Sequence, residues 1–390
     1  MRVSFYTSAN FLDAALEIVQ SLKQHTSLYL FIEVTELSKK STILDIPSLD
    51  YLNFLETPER VLTPDQLKLF EPYFNGVTQV RFVIHKSRGS FSPISMWRSF
   101  RLGAYLKKLK LDVWHFDNIS QRLLGMFPQV IGQPLVISLH DPKPHTGEEN
   151  WKIRFKNRFF FKHARAFIFY SKHASNLFQQ AYPDLKTPRY SIRLLPYLFV
   201  RNYHAEIKVA QDPPILFFGR LSPYKGIDIL LEAIPMVLQR FPNQKFIIAG
   251  NPSYGYTPNP EIINKYAENI ELIARYLDTP SLVKLIRQSA FVVCPYLDAT
   301  QSGVLSTSFA LDKTVLATNV GAFPEYIESG KNGLLVEPNA NQLAQGLNLC
   351  IENNTYLNME SHISNKNNDE ESLKLTKILL DAYTSIQQSS

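Results

Sequence analysis

Short apolar runs alternate with amphipathic segments along most of this chain. The runs at 2–6, 28–34, 77–85, 112–115, 135–139, 166–170 and 191–195 are rich in β-branched and aromatic residues, the signature of strands buried on both faces. Helix-length segments such as 11–22 and 97–109 lie between several of them. Strands and helices in this alternation predict an α/β fold with a doubly wound parallel sheet. The pattern restarts at Ile215 and continues through 245–249, 291–294 and 314–318. A chain of 390 residues exceeds what one compact core accommodates, so two such domains are expected. Residues 1–196 form the first, 197–214 a hinge closing on Asp212-Pro213-Pro214, and 215–371 the second, with 372–390 as a terminal helix. The stretch 353–371, rich in Asn, Ser and acids, reads as an exposed connection.

The richest local pattern follows the apolar run 215–218. There Gly219-Arg220-Leu221-Ser222-Pro223-Tyr224-Lys225-Gly226 leads into a helical period of Ile227, Leu230, Leu231, Ile234 and Leu238. Glycine lets the backbone turn sharply at the strand end, and the loop sits where open α/β sheets bind ligands. A guanidinium fork and a point-charge ammonium, Arg220 and Lys225, suit a diphosphate. A second run, 291–295, leads through Tyr296-Leu297-Asp298-Ala299-Thr300-Gln301-Ser302-Gly303 into a helical segment at 304–311. Thr300 or Ser302 is placed to cap that helix, whose first amides attract phosphate or a sugar hydroxyl. The strand 314–318 and the turn Gly321-Ala322-Phe323-Pro324-Glu325 come next.

Strand, G-R-L-x-x-x-K-G and helix, then K-x-V-x-A-T-x-V-G-x-x-P-E and S-G-K-N-G-L-L-V, resemble the donor half of the family 4 glycosyltransferases over about 215–340. The resemblance is faint in the first 130 residues. It implies two Rossmann-like domains facing across a cleft, the GT-B fold, with a nucleotide-sugar co-substrate and retention at the anomeric carbon. It also implies donor contacts from Gly219, Arg220, Lys225, Thr300, Gln301, Ser302, Gly303 and Glu325. One departure stands out. Most family members carry two glutamates eight apart across the second loop and helix, where this chain has Ala299 and Thr307. The A-T-Q-S-G-V wording is similar to a bacterial subgroup without that pair, and Asp298 is one place off.

Charge and composition narrow the picture. No apolar run approaches the ~20 residues that span a bilayer, and the N-terminus lacks a signal-peptide layout, so a cytoplasmic location is expected, peripheral on the inner membrane face. Cys294 and Cys350 are the only cysteines and have no metal-ligand spacing. Neither a metal-ligand cluster, a Walker P-loop nor a DxD-type motif stands near the donor loops, so no metal and no cofactor beyond the nucleotide sugar is implied. Residues 1–200 hold 26 Lys or Arg against 16 Asp or Glu, whereas 201–390 hold 15 against 19. Within the basic half, 151–165 interleaves Lys152, Arg154, Lys156, Arg158, Lys162 and Arg165 with Trp151, Ile153, Phe155, Phe159, Phe160 and Phe161. That reads either as a helix on an anionic lipid surface or as a half-buried helix with a solvated basic face. No nucleic-acid-binding motif accompanies the charge.

The run 135–139 ends in His140-Asp141-Pro142-Lys143-Pro144-His145. His140 and Asp141 are the candidate catalytic pair, His140 contacting a donor-sugar hydroxyl or the acceptor and Asp141 orienting it or acting in its place; Lys143 and His145 are weaker candidates. In the packing alternative Asp141 caps a turn before Pro142. Ser171 reads as a helix N-cap. Two functions are compatible with these residues. One is a retaining glycosyltransferase acting on a polysaccharide or lipid-linked glycan; the other is a catalytically silent nucleotide- or glycan-binding protein in an assembly complex.

Overall fold

A computed structural model describes residues 1–41, 43–86, 89, 92–142, 151–203, 211–364 and 368–388, with side chains left aside at 151–154, 364 and 368. Two compact units emerge, one of 1–195 with 368–390 and one of 196–367. Each is built on its own sheet.

The first sheet contains β1 Arg2–Ser8, β2 Ser27–Thr35, β3 Leu55–Glu56, β4 Gln79–His85, β5 Val113–Asp117, β6 Leu135–Leu139, β7 Ala166–Phe169 and β8 Arg189–Ser191. Their spatial order is β3-β4-β2-β1-β5-β6-β7-β8. Every pairing is parallel apart from the short β3 on the edge. The second sheet contains β9 Ile215–Phe218, β10 Phe246–Ala249, β11 Ile270–Ile273, β12 Val292–Cys294, β13 Val315–Thr318 and β14 Gly333–Val336. It runs β11-β10-β9-β12-β13-β14, all parallel. Both sheets reverse their winding beside their first strand, at β1/β5 and at β9/β12, and such switch points are where open α/β sheets leave a crevice for ligands.

The doubly wound α/β expectation is met in both units. Residues such as Phe5, Phe31, Val113, Ile137 and Phe167 in the first sheet, and Leu216 and Val292 in the second, are fully buried. The run at 191–195 is not a strand beyond Ser191, and β3, β11 and β14 were not anticipated. The polar stretch 353–371 is also helical in large part, through Thr355–Ser364 and the start of Asn368–Gln388. Tyr356, Met359 and Ile363 recur there at helical spacing and are buried.

The helix Asn368–Gln388 is held to the first unit by a buried polar chain. His115 on β5 pairs through Nδ1 with the Tyr383 hydroxyl at 2.6 Å and through Nε2 with the Ser138 hydroxyl on β6 at 2.7 Å. Burial lowers His115 to about 4 and, with Arg122 and Arg98, His85 to about 3. Both are therefore neutral in the folded chain and charge on unfolding below 6.5. The unfolded chain then binds more protons, so stability rises with pH in this window. Asp13, pushed up to about 6 by burial, opposes this in part above pH 4, as do Glu33 and Glu360, whose carboxyls burial also raises. The net expectation is that urea midpoints fall as pH is lowered from about 6.5 to 4. Tyr383→Phe should cost about 1–2 kcal/mol by leaving His115 short of a partner; an unchanged midpoint would contradict it.

Candidate functional site

In the second unit the residues expected to meet a donor lie together after the carboxyl ends of β9, β12 and β13. Gly219 leaves β9 at φ +123°, its amide donating to the Ala249 carbonyl at 3.0 Å. Leu221 is fully buried and exchanges bonds with the loop after β10: its amide donates to Asn251 at 3.0 Å, and the Ser253 amide donates back at 2.8 Å. Between these anchors Arg220 is thrust outward and exposed. The chain then makes a 3-10 turn, Pro223–Lys225, and enters the helix Ile227–Leu238 through Gly226 at φ +65°. A Cβ on Gly226 would overlap the Pro295 carbonyl, so both the left-handed conformation and the close approach require glycine. The buried stripe of that helix is Ile227, Leu230, Leu231 and Ile234, ending on Val237 instead of Leu238.

Backbone bonds fasten this loop to its neighbours. The Leu297 amide donates to the Tyr224 carbonyl at 2.8 Å, and the Ala322 amide to the Ala299 carbonyl at 2.7 Å. Thr318 at the end of β13 donates to the Tyr296 carbonyl at 2.5 Å. The Lys225 ammonium sits 3.7 Å from the Tyr296 ring centroid, a cation–π seat that fixes its position. Ser302 caps the helix Gly303–Ala310, accepting from the Leu305 amide at 3.3 Å. Thr300 and Gln301 are half-buried in the approach to that cap, and Gly303 opens the helix. Glu325 lies exposed on the short helix Phe323–Tyr326 beyond β13.

Two polar atoms here, Ser222 Oγ and Gln301 Oε1, are shut off from solvent with no hydrogen-bond partner. Such orphans are rare and costly in folded chains. Ser222 was not singled out from sequence; its place inside a loop already marked by Arg220 and Lys225 was the available signal. The missing glutamates are replaced by small, packed residues: Ala299 and Thr307 are each 5% exposed, while Asp298 faces solvent. Cys294 and Cys350 are buried and free, with thiols pushed up to about 12 by burial, so neither is a nucleophile. Among the described residues no cluster of His, Cys, Asp and Glu could hold a metal.

In the first unit His140 follows β6 and is 1% exposed. Its Nε2 lies 2.9 Å from Asp117 Oδ1 at the end of β5. Asp117 also accepts from the Tyr170 hydroxyl at 2.6 Å and the Thr7 hydroxyl at 2.8 Å. Burial works to raise this carboxyl, but His140, Tyr170 and Thr7 outweigh it and hold Asp117 below the usual range. An ionised Asp117 only accepts, so Nε2 carries a proton. The ring stacks on Phe11 at 3.9 Å and on Tyr170 at 4.4 Å. The carboxylate hydrogen-bonded to His140 is thus Asp117, which sequence reading missed; Asp141 is half-buried next to it in the chain. Asp13, whose carboxyl accepts from the Ala14 amide at 2.9 Å, lies in the electrostatic reach of both His140 and Asp117. Lys143 and His145 lie outside the described residues. Ser171 caps its helix, accepting from the Ala174 amide at 3.0 Å.

The basic stretch 151–165 divides differently from its sequence pattern. Phe160 and Phe161 are in the core, and Lys156 is buried with its ammonium on the Ile119 carbonyl at 2.5 Å. Burial lowers that ammonium to about 8, against the pull of Glu33. Phe155, Arg158 and Lys162 remain exposed. A cavity of about 820 Å³ opens at the amino end of β4, lined by Thr57, Glu59, Lys68, Glu71 and Arg81 among others. It sits at the opposite end of that strand from His85.

The loop geometry gives a direct expectation. Gly226→Ala should lower stability by more than about 2 kcal/mol, because a side chain there meets both a disallowed φ and the Pro295 backbone. Gly330→Ala, also at positive φ but in open space, should cost less. Equal midpoints in thermal melts of the two variants would contradict the packing described.

Residues 212–353 match the family model described as Glycosyl transferases group 1. D-inositol 3-phosphate glycosyltransferase from Corynebacterium glutamicum is 34% identical over 130 residues, covering 32% of this chain and 31% of that protein. GDP-mannose:glycolipid 4-beta-D-mannosyltransferase from Xanthomonas campestris is 27% identical over 201 residues, covering 50% of this chain and 53% of the other. The chain thus aligns with about a third to a half of the length of these curated relatives. The crystal structure of Anabaena HepE with UDP and glucose aligns over 99% of this chain and 100% of that one, with a TM-score of 0.66 at 16% identity. A glycosyltransferase structure from Rickettsia africae aligns over 100% of both chains, with a TM-score of 0.65 at 15% identity. The chain has the two-domain GT-B fold, and its segment 212–353 is similar to the group 1 glycosyl transferases.

Proposed function

We propose that the chain is a retaining glycosyltransferase that moves a sugar from a nucleotide donor to a polysaccharide or lipid-linked glycan. The observation that carries this reading is the set of loops around Arg220 and Lys225, locked together by backbone bonds, with Ser222 Oγ and Gln301 Oε1 left to a ligand. UDP in the HepE complex and the glycolipid acceptor in the name of the Xanthomonas relative support the two substrate classes.

In this reading Arg220 and Lys225 take the donor diphosphate, and Ser222 donates its orphaned hydroxyl to a phosphate oxygen. The amides at Ser302 and Gly303 add the positive end of a helix. Gln301, Thr300 and Glu325 face the sugar and ribose in place of the absent glutamate pair. These groups stabilise charge as the glycosidic bond to phosphate breaks, the largest class of catalytic effect. With no carboxylate at Ala299, the departing phosphate itself takes the acceptor proton on the face it leaves. In this reading His140, held by Asp117 and sandwiched by aromatic rings, acts on a sugar hydroxyl, with Asp141 next to it in the chain. The protein works in the cytoplasm, peripheral on the inner membrane face.

Ala299 and Thr307 favour a second reading, a nucleotide- or glycan-binding protein without turnover. Release of labelled sugar from a nucleotide donor separates the two. Arg220→Ala and Lys225→Ala should each weaken UDP binding by about 1.5–3 kcal/mol, the worth of a hydrogen bond to a charged group. Unchanged affinity in both removes the phosphate assignment. For His140→Ala and Asp117→Asn, turnover should fall far more than nucleotide affinity. Normal turnover with only a lowered melting temperature would make the pair structural.

A further inference from the structure

The helix Pro93–Lys108 is built inside out in size. Toward the first unit it buries Ser95, Ser99 and Gly103 alongside Leu102 and Leu106. Outward it shows Ile94, Trp97 and Phe100, exposed to 63%, 57% and 46%. The small inner residues have a packing cause. A Cβ on Gly103 would come within 2.7 Å of Met126 Cγ, and one on Gly125 would overlap the Met96 backbone, so the neighbouring segment leaves no room for large side chains. No comparable constraint acts on the outer face, where polar residues would serve the fold as well. Three large apolar groups within two turns there form a patch that folding does not explain.

The charges along this segment are of one sign. Residues 93–111 contain Arg98, Arg101, Lys107, Lys108 and Lys110 and no acid. The Arg101 guanidinium lies 4.8 Å from the Trp97 ring centroid, a cation–π seat that puts a positive charge directly beside the exposed indole. The helix Trp151–His163 packs on the same turn, Gln121–Met126, as this helix does, and adds the exposed Phe155 (59%), Arg158 and Lys162. Apolar wedges ringed by cations are the pattern of a helix lying in the headgroup region of an anionic bilayer. A second copy of the chain is a poorer occupant, since the same face repeated would set cations against cations.

We infer that the outer face of Pro93–Lys108 docks this protein on an anionic membrane, with Ile94, Trp97 and Phe100 inserted among the headgroups and Arg101, Lys107 and Lys108 on lipid phosphates. This deepens the peripheral-membrane part of the proposed function and rests on it. It moves the contact from 151–165, where two phenylalanines and a lysine are interior, to a neighbouring helix.

Vesicle flotation tests it without donor or acceptor. Wild-type protein should float with phosphatidylcholine vesicles containing about 30% phosphatidylglycerol and lose most binding in about 0.5 M salt. The Ile94→Ser/Trp97→Ser/Phe100→Ser variant and the Arg101→Gln/Lys107→Gln/Lys108→Gln variant should each bind at least about tenfold more weakly, with circular dichroism and UDP-induced thermal shift unchanged. Indole emission should shift to the blue on vesicle addition in wild type and not in Trp97→Phe. The inference is overturned if wild type stays unbound, if the serine variant binds like wild type, or if wild type self-associates without lipid and the serine variant does not. UDP binding is read on the same samples, so a failed donor site would show separately.

Discussion

Two backbones meet in the second unit with no room between them. A Cβ on Gly250 would overlap the Gly219 carbonyl, and both residues take φ values, +155° and +123°, that suit glycine. From this contact the rest of the loop 219–226 follows. β9 and β10 end level with each other, Leu221 is drawn down between the loops, and the chain turns up again at Gly226 against Pro295. Bonds from Leu297 to Tyr224 and from Ala322 to Ala299 carry the same rigidity across β12 and β13. Arg220 and Lys225 are thereby held five positions apart in sequence at one end of the sheet before any ligand arrives. A charge held in place in advance loses little entropy on binding.

That constraint is also why the second unit was legible in sequence. Glycine, proline and short apolar runs punctuate it at each strand end, and those residue types report backbone demands directly. The first unit gives its strands away by the same runs but conceals its polar centre. Asp117 closes a run that reads Val-Trp-His-Phe-Asp, and nothing local distinguishes it from a strand-end cap. Only the parallel register, which pairs Asp117 with Ser138 two residues before His140, brings the carboxylate to the imidazole. Asp141 is the adjacent acid in sequence; the neighbouring strand supplies the carboxylate hydrogen-bonded to Nε2.

Helical faces account for the other differences. Of the two readings of 151–165, the lipid-surface one places every aromatic and cation outside, yet in a helix consecutive residues point in different directions, as the half-buried reading allows. Phe160, Phe161 and Lys156 turned inward. Along 353–371 the opposite happened. High polarity suggested a loose connection, but three buried apolar residues at helical spacing, Tyr356, Met359 and Ile363, suffice to seat Thr355–Ser364. The absent glutamates at Ala299 and Thr307 were plain in sequence; that both sites are filled by packed small residues, closed to a substituting side chain, required the structure.

The central claim is that the loop carrying Arg220 and Lys225 is a diphosphate cradle. Calorimetric titration of the intact chain with UDP and then with UMP compares ligands that differ in one phosphate. If the cradle is as described, UDP binds at least about tenfold more tightly, the second phosphate adding one or more charged hydrogen bonds. Equal affinities for the two nucleotides would contradict the account.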